Sequence, residues 1–268
     1  SGIGCALAST ERGARPVIVE RASSPAGALR SCLTSIGRPE EREAVRQLEQ
    51  AVEEGRIHAR YDTTVIGLTA GDDSWRVRVQ DHLGSHEVRA HRVVVATGGY
   101  VQPREHLPIA GPRGSGIITA DFVHAALDAG LRPGRLAVIV GDGRYARGTA
   151  ERLKAAGIDI ARQVPGAPEQ LPVDELRGDR RLEAVRVDGH WIDADTLVLA
   201  HRLLPSVFFL RDTGLIDGRP GVPVPVDAAG ATRLAGVWAV GTCQAPDVDH
   251  RTSLEAGRQL GERLANRG

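Results

Sequence analysis

The chain has 268 residues, and its 34 Lys and Arg balance 34 Asp and Glu, which gives a formal net charge of zero. This length permits one large domain or two smaller ones, and the lack of a basic surplus excludes the electrostatic footprint of a nucleic-acid-binding protein. No apolar run approaches the roughly 18 residues of a membrane-spanning helix. Three widely separated cysteines, Cys5, Cys32 and Cys243, have no metal-site or redox-pair spacing. We therefore expect a cytoplasmic protein with reduced thiols and no metal.

The first 20 residues, SGIGCALASTERGARPVIVE, have the pattern of a nucleotide-binding loop that leads into a helix and a strand. We predict a helix over residues 3–12, ended by Gly13, and a strand over residues 16–20. In a dinucleotide-binding unit, the third glycine of the loop allows close helix–strand packing, and an acid about 20 residues further on binds a ribose hydroxyl. Counting back from Glu20 places Gly2 at this third glycine. The alternative is an ordinary helix and strand after a glycine turn.

This assignment leaves the first strand and the first two glycines of the unit outside the sequence. The sequence also contains no Met. We therefore expect residues to precede Ser1 in the complete protein, because a Rossmann sheet without its first strand loses its central element.

A helix is predicted over residues 39–54, because Pro39 suits its first turn and its apolar residues form one stripe. Short strands separated by turn signals follow at residues 57–61, 64–69, 75–80 and 86–90. They predict an antiparallel meander of three or four strands. The next string, RVVVATGGY, predicts a buried strand over residues 92–96, after which Thr97 and Gly98 let the backbone approach a ligand.

A second nucleotide-binding pattern, LAVIVGDGRYA, combines a strand over residues 136–140 with a G-x-G-x-x-A loop and a helix to residue 156. The loop residues that would face a nucleotide are Gly141, Gly143, Arg144 and Ala146. Two details count against tight NAD(P)H binding. Asp142 places a carboxylate where a pyrophosphate would lie. No acid ends the next strand to hold a ribose hydroxyl, although Arg162 could meet a 2′-phosphate.

The C-terminal part repeats the combination of strand and glycine. A buried strand, TLVLAH, is followed by a strand over residues 237–240, the pair Gly241-Thr242 and a final helix. The string TSLE is a capping box with Thr252 at the N-cap and Glu255 three positions on, so we predict that the final helix begins there. His250 would then lie in a solvated loop just before this helix.

The order of these elements resembles that of the two-dinucleotide-binding-domain flavoproteins, the pyridine nucleotide-disulfide oxidoreductase-like family. The resemblance rests on the helix, the acid-ended strand, the meander, the ATG string and the prolines of VQPREHLPIAG, and it covers nearly the whole chain. It implies an α/β fold with two Rossmann-like (ββα) three-layer domains. The first would be discontinuous, with residues 1–107 and 201–268, and would lack its first strand here. The second, residues 108–200, would be an NAD(P)-binding-like insert.

The resemblance also implies FAD as the cofactor of the first domain. Val65 would meet the adenine through its backbone, and Thr242 stands where relatives carry an Asp that binds a ribityl hydroxyl. The N-terminus of the final helix would face the flavin ring, where its partial positive charge favours the reduced, anionic form. The implied FAD-binding residues are Gly2, Glu20, Arg21, Val65, Thr97, Gly98, Gly241, Thr242 and Thr252.

The closer resemblance is to the FAD-binding alpha-type subunits of heteromeric amine and amino-acid oxidoreductases, such as opine oxidase, hydrogen cyanide synthase, dye-linked proline dehydrogenase and sarcosine oxidase. It implies a flavin subunit that passes electrons on, while a second catalytic subunit oxidises a small-molecule amine or amino acid. Two alternatives stay open: a stand-alone NAD(P)H-dependent flavin reductase of the ferredoxin-reductase type, and a scaffold subunit that has lost its flavin. No residue is assigned as a general base. Disulfide reductases are excluded as close relatives because Cys32 has no partner cysteine.

Overall fold

The computed structural model describes residues 1–27, 38–166, 171–246 and 250–266. These residues separate into two compact units. The first unit consists of residues 1–27, Arg38–Gly99 and 204–266, and the second consists of the described part of Tyr100–Leu203. The domain boundaries placed near residues 107 and 201 stay a prediction. Within the described ranges, no helix is long and apolar enough to cross a membrane.

The helices and strands are numbered in chain order. The helices are α1 (Gly2–Glu11), α2 (Pro39–Glu53), α3 (Ala120–Asp128), α4 (Arg144–Ala155) and α5 (His250–Ala265). The first strands are β1 (Val17–Val19), β2 (His58–Arg60), β3 (Thr64–Ala70), β4 (Trp75–Asp81), β5 (Gly84–Ala90), β6 (Val93–Val95), β7 (Gly99–Val101) and β8 (Ile117–Thr119). The later strands are β9 (Leu136–Val140), β10 (Asp159–Val164), β11 (Val173–Gly178), β12 (Leu182–Val187), β13 (His190–Asp193), β14 (Thr196–Leu199), β15 (Leu203–Pro205) and β16 (Val237–Ala239). Short 3-10 helices cover Arg104–His106 and Phe208–Thr213.

The first unit contains two parallel strand pairs and one antiparallel sheet. β1 pairs with β2, β6 pairs with β16, and β3, β4 and β5 form a three-stranded antiparallel sheet. The predicted meander therefore has three strands, because the strand predicted at residues 57–61 is β2, which runs parallel to β1. Gly13 has a φ of 86° and follows α1 in the left-handed conformation that the sequence predicted.

Helix α1 contributes to two hydrophobic clusters of the first unit. Cys5 packs in a cluster with Trp238 of β16 and Leu260 of α5. Leu7 packs in a second cluster with Leu48 of α2 and with Ile57 just before β2. One short helix therefore connects the core beside β6 and β16 with the core beside β1 and β2.

Helices α1 and α5 approach each other closely at glycines. A Cβ atom at Gly4 would lie 2.5 Å from the carbonyl oxygen of Leu254, and a Cβ atom at Gly261 would overlap the carbonyl oxygen of Cys5. Gly257, one turn earlier on α5, faces the backbone at the start of α1 in the same way. Residues four apart lie on one face of a helix, so Gly257 and Gly261 let the two backbones touch.

The second unit is built on a parallel sheet with the strand order β10-β9-β14-β8. The central strands β9 and β14 are buried almost throughout, as in parallel sheets that are covered on both faces. Helices α3 and α4 and a second sheet, the antiparallel β11-β12-β13, bury residues in the same hydrophobic cluster. The sequence analysis did not predict this second sheet.

A buried polar chain links helices α3 and α4. His124 Nε2 lies 3.1 Å from Thr149 Oγ1, and Arg152 Nη1 lies 2.9 Å from His124 Nδ1. Because a guanidinium can only donate, Nδ1 accepts, and the proton of the neutral ring is on Nε2. Thr149 Oγ1 donates in turn to the carbonyl oxygen of Tyr145 over 2.9 Å. Burial, followed by the charge of Arg152, lowers the pKa of His124 to about 4.

The final helix begins earlier than predicted. α5 starts at His250, so Thr252 is its third residue, and the predicted capping box at Thr252 and Glu255 is wrong. An N-cap residue has a non-helical backbone, whereas the two residues before Thr252 are already helical. His250 is therefore the first residue of α5 and not a loop residue.

Candidate functional site

The N-terminus of α1 meets the turn that follows β16. Ser1, the N-cap residue, donates a hydrogen bond from Oγ to the carbonyl oxygen of Val240 over 3.1 Å, and a Cβ atom at Gly241 would overlap this Oγ. Gly2 packs against the end of β6, because a Cβ atom at Gly2 would lie 3.0 Å from Ala96 Cβ. The start of α1 thus lies beside the carboxyl ends of β6 and β16.

The glycine turns after β6 and β16 are neighbours. Gly98 has a φ of 64°, and a Cβ atom there would lie 3.5 Å from Thr242 Oγ1. The buried Cys243 joins the second turn to the first strand, since its Sγ lies 3.3 Å from the carbonyl oxygen of Val95. Thr97, the first residue of the ATG turn after Ala96, is exposed. The two turns and the start of α1 therefore form one glycine-rich surface.

Glu20 lies at the end of the other strand pair. Its backbone N–H donates to the carbonyl oxygen of Arg60 over 2.9 Å, and its Oε1 accepts a 2.8 Å hydrogen bond from the N–H of Ala22. The backbone of Gly27 packs against this carboxylate, because a Cβ atom at Gly27 would lie 2.8 Å from Glu20 Oε2. Arg21 is exposed. The carboxylate of Glu20 is thus held by local backbone at the carboxyl end of β1.

Two further predicted FAD-binding residues lie elsewhere in the first unit. Val65 is in β3, is half-buried and pairs with Val79 of β4. Thr252 is exposed in the first turn of α5, and the Oγ of its neighbour Ser253 lies 3.9 Å from the Cβ position of Gly241. The described contacts bring together the start of α1 and the two glycine turns, and they do not join Glu20, Val65 or Thr252 to that group. The FAD-binding roles of all these residues stay predictions.

In the second unit, the loop after β9 packs as a dinucleotide-binding fingerprint requires. Gly141 has a φ of 135°, and a Cβ atom there would lie 2.5 Å from the carbonyl oxygen of Ala200 and 3.0 Å from Ala146 Cβ. Only glycine fits the first position, and only a small residue fits the last. Gly143, the N-cap of α4, has nothing within 4 Å of its Cβ position, so its backbone is open to a ligand.

Charged residues of both signs surround this loop. Asp142 is exposed, and its carbonyl oxygen accepts a 2.9 Å hydrogen bond from Arg147 Nη1. Arg144 is the first residue of α4. Arg162, the predicted partner of a 2′-phosphate, has its Nη2 3.8 Å from Asp188 Oδ2. Both members of this pair are exposed, and such pairs are weak because solvent screens them.

The chain is similar in structure to several solved oxidoreductases. For L-proline dehydrogenase from P. horikoshii the TM-score is 0.78 at 19% sequence identity, over 99% of this chain and 53% of that chain. For thioredoxin reductase from Lactococcus lactis the TM-score is 0.75 at 18% identity, over 99% and 94% of the two chains. For the water-forming NADH oxidase from Lactobacillus brevis bound to NADH it is 0.70 at 12% identity, over 97% and 67%. This chain has their two-domain Rossmann-like fold.

The predicted fold class, an α/β fold with two Rossmann-like domains, is thereby confirmed. The chain spans about half the length of the P. horikoshii protein, 53%, and nearly all of the thioredoxin reductase, 94%. No family model matches the sequence, and no curated protein matches it.

In this fold, ligands bind at the carboxyl edge of the parallel strands where the strand order reverses, and His201 lies at that edge of the second unit. It follows β14, and a Cβ atom at Gly166, just after β10, would overlap His201 Cβ. Both ring nitrogens are buried and have no hydrogen-bond partner among the described residues. Burial, followed by the charge of Arg202, lowers the pKa of His201 to about 4. The neutral ring therefore offers one donor and one acceptor to a ligand.

Neither His201 nor Cys243 was predicted from the sequence as a site residue. The available signal for His201 is a polar residue directly after the buried strand in LVLAH, because parallel strands bind ligands at their carboxyl ends. Cys243 carries no such signal. Its contact with Val95 joins residues that are 148 positions apart, and only the folded chain brings them together.

Neither described cysteine should react as a redox thiol in the folded protein. Cys5 and Cys243 are unpaired and buried, and burial raises the pKa of Cys5 to about 11 and also raises that of Cys243. The reactive thiolate is therefore scarce. A Cys32→Ser variant removes the third thiol, which lies outside the described residues. In that variant, the reagent DTNB at about pH 8 should modify neither thiol before unfolding and both afterwards. Fast reaction of one thiol in the folded protein would contradict this burial.

Proposed function

We propose that this chain is an FAD-dependent oxidoreductase, and that it serves as the flavin subunit of a heteromeric amine or amino-acid dehydrogenase or oxidase. The fold that it shares with solved oxidoreductases supports the first part of the proposal. The resemblance of its motifs to alpha-type flavin subunits supports the second part, as does the structural similarity to an L-proline dehydrogenase. In this proposal a partner subunit oxidises the amine, and this chain receives the electrons.

The observation that carries the proposal is the surface formed by the start of α1 and the two glycine turns. A helix N-terminus presents unpaired N–H groups and a partial positive charge, which suit a pyrophosphate. A side chain at Gly241 would overlap Ser1, and Gly98 has the left-handed backbone that favours glycine. Backbone groups can therefore approach a ligand closely, as the turn glycines of a dinucleotide site allow.

The residues of this surface, and Glu20 at the carboxyl end of β1, have a chemistry that fits FAD. When bound, FAD supplies a group that accepts and releases electrons. The carboxylate of Glu20, held by the N–H of Ala22, can accept hydrogen bonds from ribose hydroxyls. The hydroxyl of Thr242 can donate to or accept from the ribityl chain. The first turn of α5 approaches Gly241 through Ser253, so the positive end of a second helix points toward the same surface.

A second candidate function, a stand-alone NAD(P)H-dependent flavin reductase, is favoured by the second unit. The open backbone at Gly143 and the unpartnered ring nitrogens of His201 both lie at the carboxyl edge of the parallel sheet. A nicotinamide nucleotide has phosphate, ribose and amide groups that could meet them. The exposed carboxylate of Asp142 opposes this function, because like charge disfavours a pyrophosphate at the loop.

The two functions differ in what reduces the flavin. The full chain, loaded with FAD and kept anaerobic, should keep its oxidised flavin spectrum when NADH or NADPH is added. Bleaching of the flavin absorbance by either nucleotide would replace the subunit proposal with the reductase. A chain that binds no FAD at all would favour the flavin-less scaffold.

Glu20→Ala should weaken FAD binding by about 1–3 kcal/mol, or roughly 5- to 150-fold, because a charge-assisted hydrogen bond to the ribose is lost. The dissociation constant is measured by titrating the full chain with FAD and following flavin fluorescence. Glu53→Ala is the matched control, since Glu53 is exposed at the end of α2. Equal affinity of both variants and the unchanged chain would remove Glu20 from the site.

A further inference from the structure

Arg104 of the second unit is a buried cation without a counter-ion. It opens the 3-10 helix Arg104–His106, and only 7% of its surface is exposed. Its Nη2 donates to the carbonyl oxygens of Ile109 and Gly111 over 3.0 and 2.9 Å. Its Nε is buried and has no hydrogen-bond partner in the part of the chain that the structure describes. Within the described residues, no carboxylate forms an ion pair with this guanidinium.

Burying the charged guanidinium of Arg104 lowers the free energy of unfolding unless an anion neutralises it. A guanidinium stays charged at every physiological pH, and a buried charge is normally neutralised by a partner of opposite sign. The two carbonyl oxygens fix the orientation of Arg104 but do not cancel its charge. Glu105, the next residue, is exposed and does not pair with Arg104 within the described part of the chain.

Arg104 lines a cavity that could hold the missing anion. The cavity has a volume of about 120 Å³ and lies at the carboxyl ends of β8 and β14, where Thr119 and Leu199 contribute to its wall. Arg113, a second cationic residue, and Glu105 also line it. Since a water molecule takes about 30 Å³ in the liquid, the space corresponds to a few waters. A carboxylate or phosphate group fits this volume.

The second unit has another arginine-rich cavity, but the charges there do not need an anion to neutralise them. It has a volume of about 430 Å³ and is lined by Arg132, Arg135, Arg181 and Asp195. The side chain of Arg135 is 91% exposed there, and that of Arg181 is 48% exposed. Water can therefore solvate these charges. Arg104, in contrast, is only 7% exposed, and its unpartnered Nε is the distinguishing observation.

We propose that the cavity at Arg104 and Arg113 binds a small oxyanion, a carboxylate or phosphate group of about the size of acetate or inorganic phosphate. Arg104 supplies its buried guanidinium, and Arg113 supplies a second guanidinium from the exposed side. This site belongs to the second unit alone and does not depend on the proposed FAD site of the first unit.

Inorganic phosphate and acetate are the two probes, each titrated into the full chain by calorimetry at constant ionic strength with chloride as the background anion. We expect one of them to bind saturably with a stoichiometry of one, and the tighter binder identifies the oxyanion type. Arg113→Gln should lower that affinity at least tenfold, because one charge-assisted contact is lost. Arg135→Gln, the same charge change in the exposed cavity, should leave it unchanged.

Arg104→Gln should abolish saturable binding, and circular dichroism checks that this variant is folded. If it fails to fold, the Arg113→Gln variant tests the proposal instead. Arg113 is exposed and, within the described residues, makes no contact that folding needs. Two outcomes overturn the proposal: no saturable binding of either anion to the unchanged chain, or equal affinities of the Arg113→Gln variant and the unchanged chain. FAD titrations of the same samples report on the flavin proposal separately.

Discussion

Gly261→Val should destabilise the first unit by about 3 kcal/mol, at the upper end of the cost of overpacking a core. A Cβ atom at this position would overlap the carbonyl oxygen of Cys5 and would lie 3.1 Å from Ala8 Cβ. The obstructing atom is part of the α1 backbone and cannot turn aside as a side chain can. The two helices must therefore separate, and the cluster that joins Cys5 to Leu260 loosens.

Urea unfolding followed by circular dichroism measures this loss of free energy of unfolding. Glu262→Val is the matched control, because Glu262 is the next residue of α5 and is exposed, so this variant reports only the lower helix propensity of valine. Gly261→Ala should fall between the two, since alanine favours the helix by about 1 kcal/mol over glycine but adds the obstructed Cβ. Equal stabilities of Gly261→Val and Glu262→Val would contradict the close contact of α1 and α5.

Acid should destabilise the second unit between about pH 6.5 and about pH 4, through His124. The pKa of this ring is lowered from 6.5 to about 4 in the folded chain, first by burial and second by the charge of Arg152. The unfolded chain binds the proton near pH 6.5, and the folded chain binds it only near pH 4. Unfolding in this window therefore takes up a proton. The stability from the neutral ring is complete above this window, and about 3 kcal/mol is lost across it.

Urea unfolding at a series of pH values measures this dependence. In His124→Gln the amide can still donate toward Thr149 and accept from Arg152, but it cannot titrate. Its stability should therefore fall less steeply with acid than that of the unchanged chain, by close to one proton. The remaining slope should include His201, whose pKa is also lowered to about 4. Identical pH profiles of the variant and the unchanged chain would show that His124 takes up its proton equally in both states.

The loop after β9 was predictable from the sequence because its physics is local. Gly141 and Ala146 are five residues apart. A Cβ atom at Gly141 would lie 3.0 Å from Ala146 Cβ, and this closeness follows directly from a strand that turns into a helix. The helix and strand around them lie within one residue of the predicted bounds. The order of elements that resembles two-domain flavoproteins was also readable, and structural comparison confirms the fold.

Sequence patterns were less reliable where the decision depends on distant contacts. TSLE has the residues of a capping box, yet α5 begins two residues earlier at His250. Short strands such as β11, β12 and β13 have no long pattern of their own, and they form because their apolar residues complete a core with α3 and α4. The strands at residues 16–20 and 57–61 were both predicted, but their parallel pairing was not, because about forty residues of chain, including a helix, separate them.

The sequence by itself determined the fold class, the position of the glycine loop after β9 and the glycine at the end of α1, because hydrophobic period, turn glycines and helix signals act over a few residues. Only the tertiary structure decided which of these segments meet. The start of α1 lies against Gly241 and Ala96, Gly98 lies against Thr242, and Gly261 lies against Cys5. It also left the ring nitrogens of His201 and the Nε of Arg104 buried without a partner among the described residues. Burial and hydrogen-bond satisfaction depend on every chain segment that surrounds an atom, so no local pattern contains them.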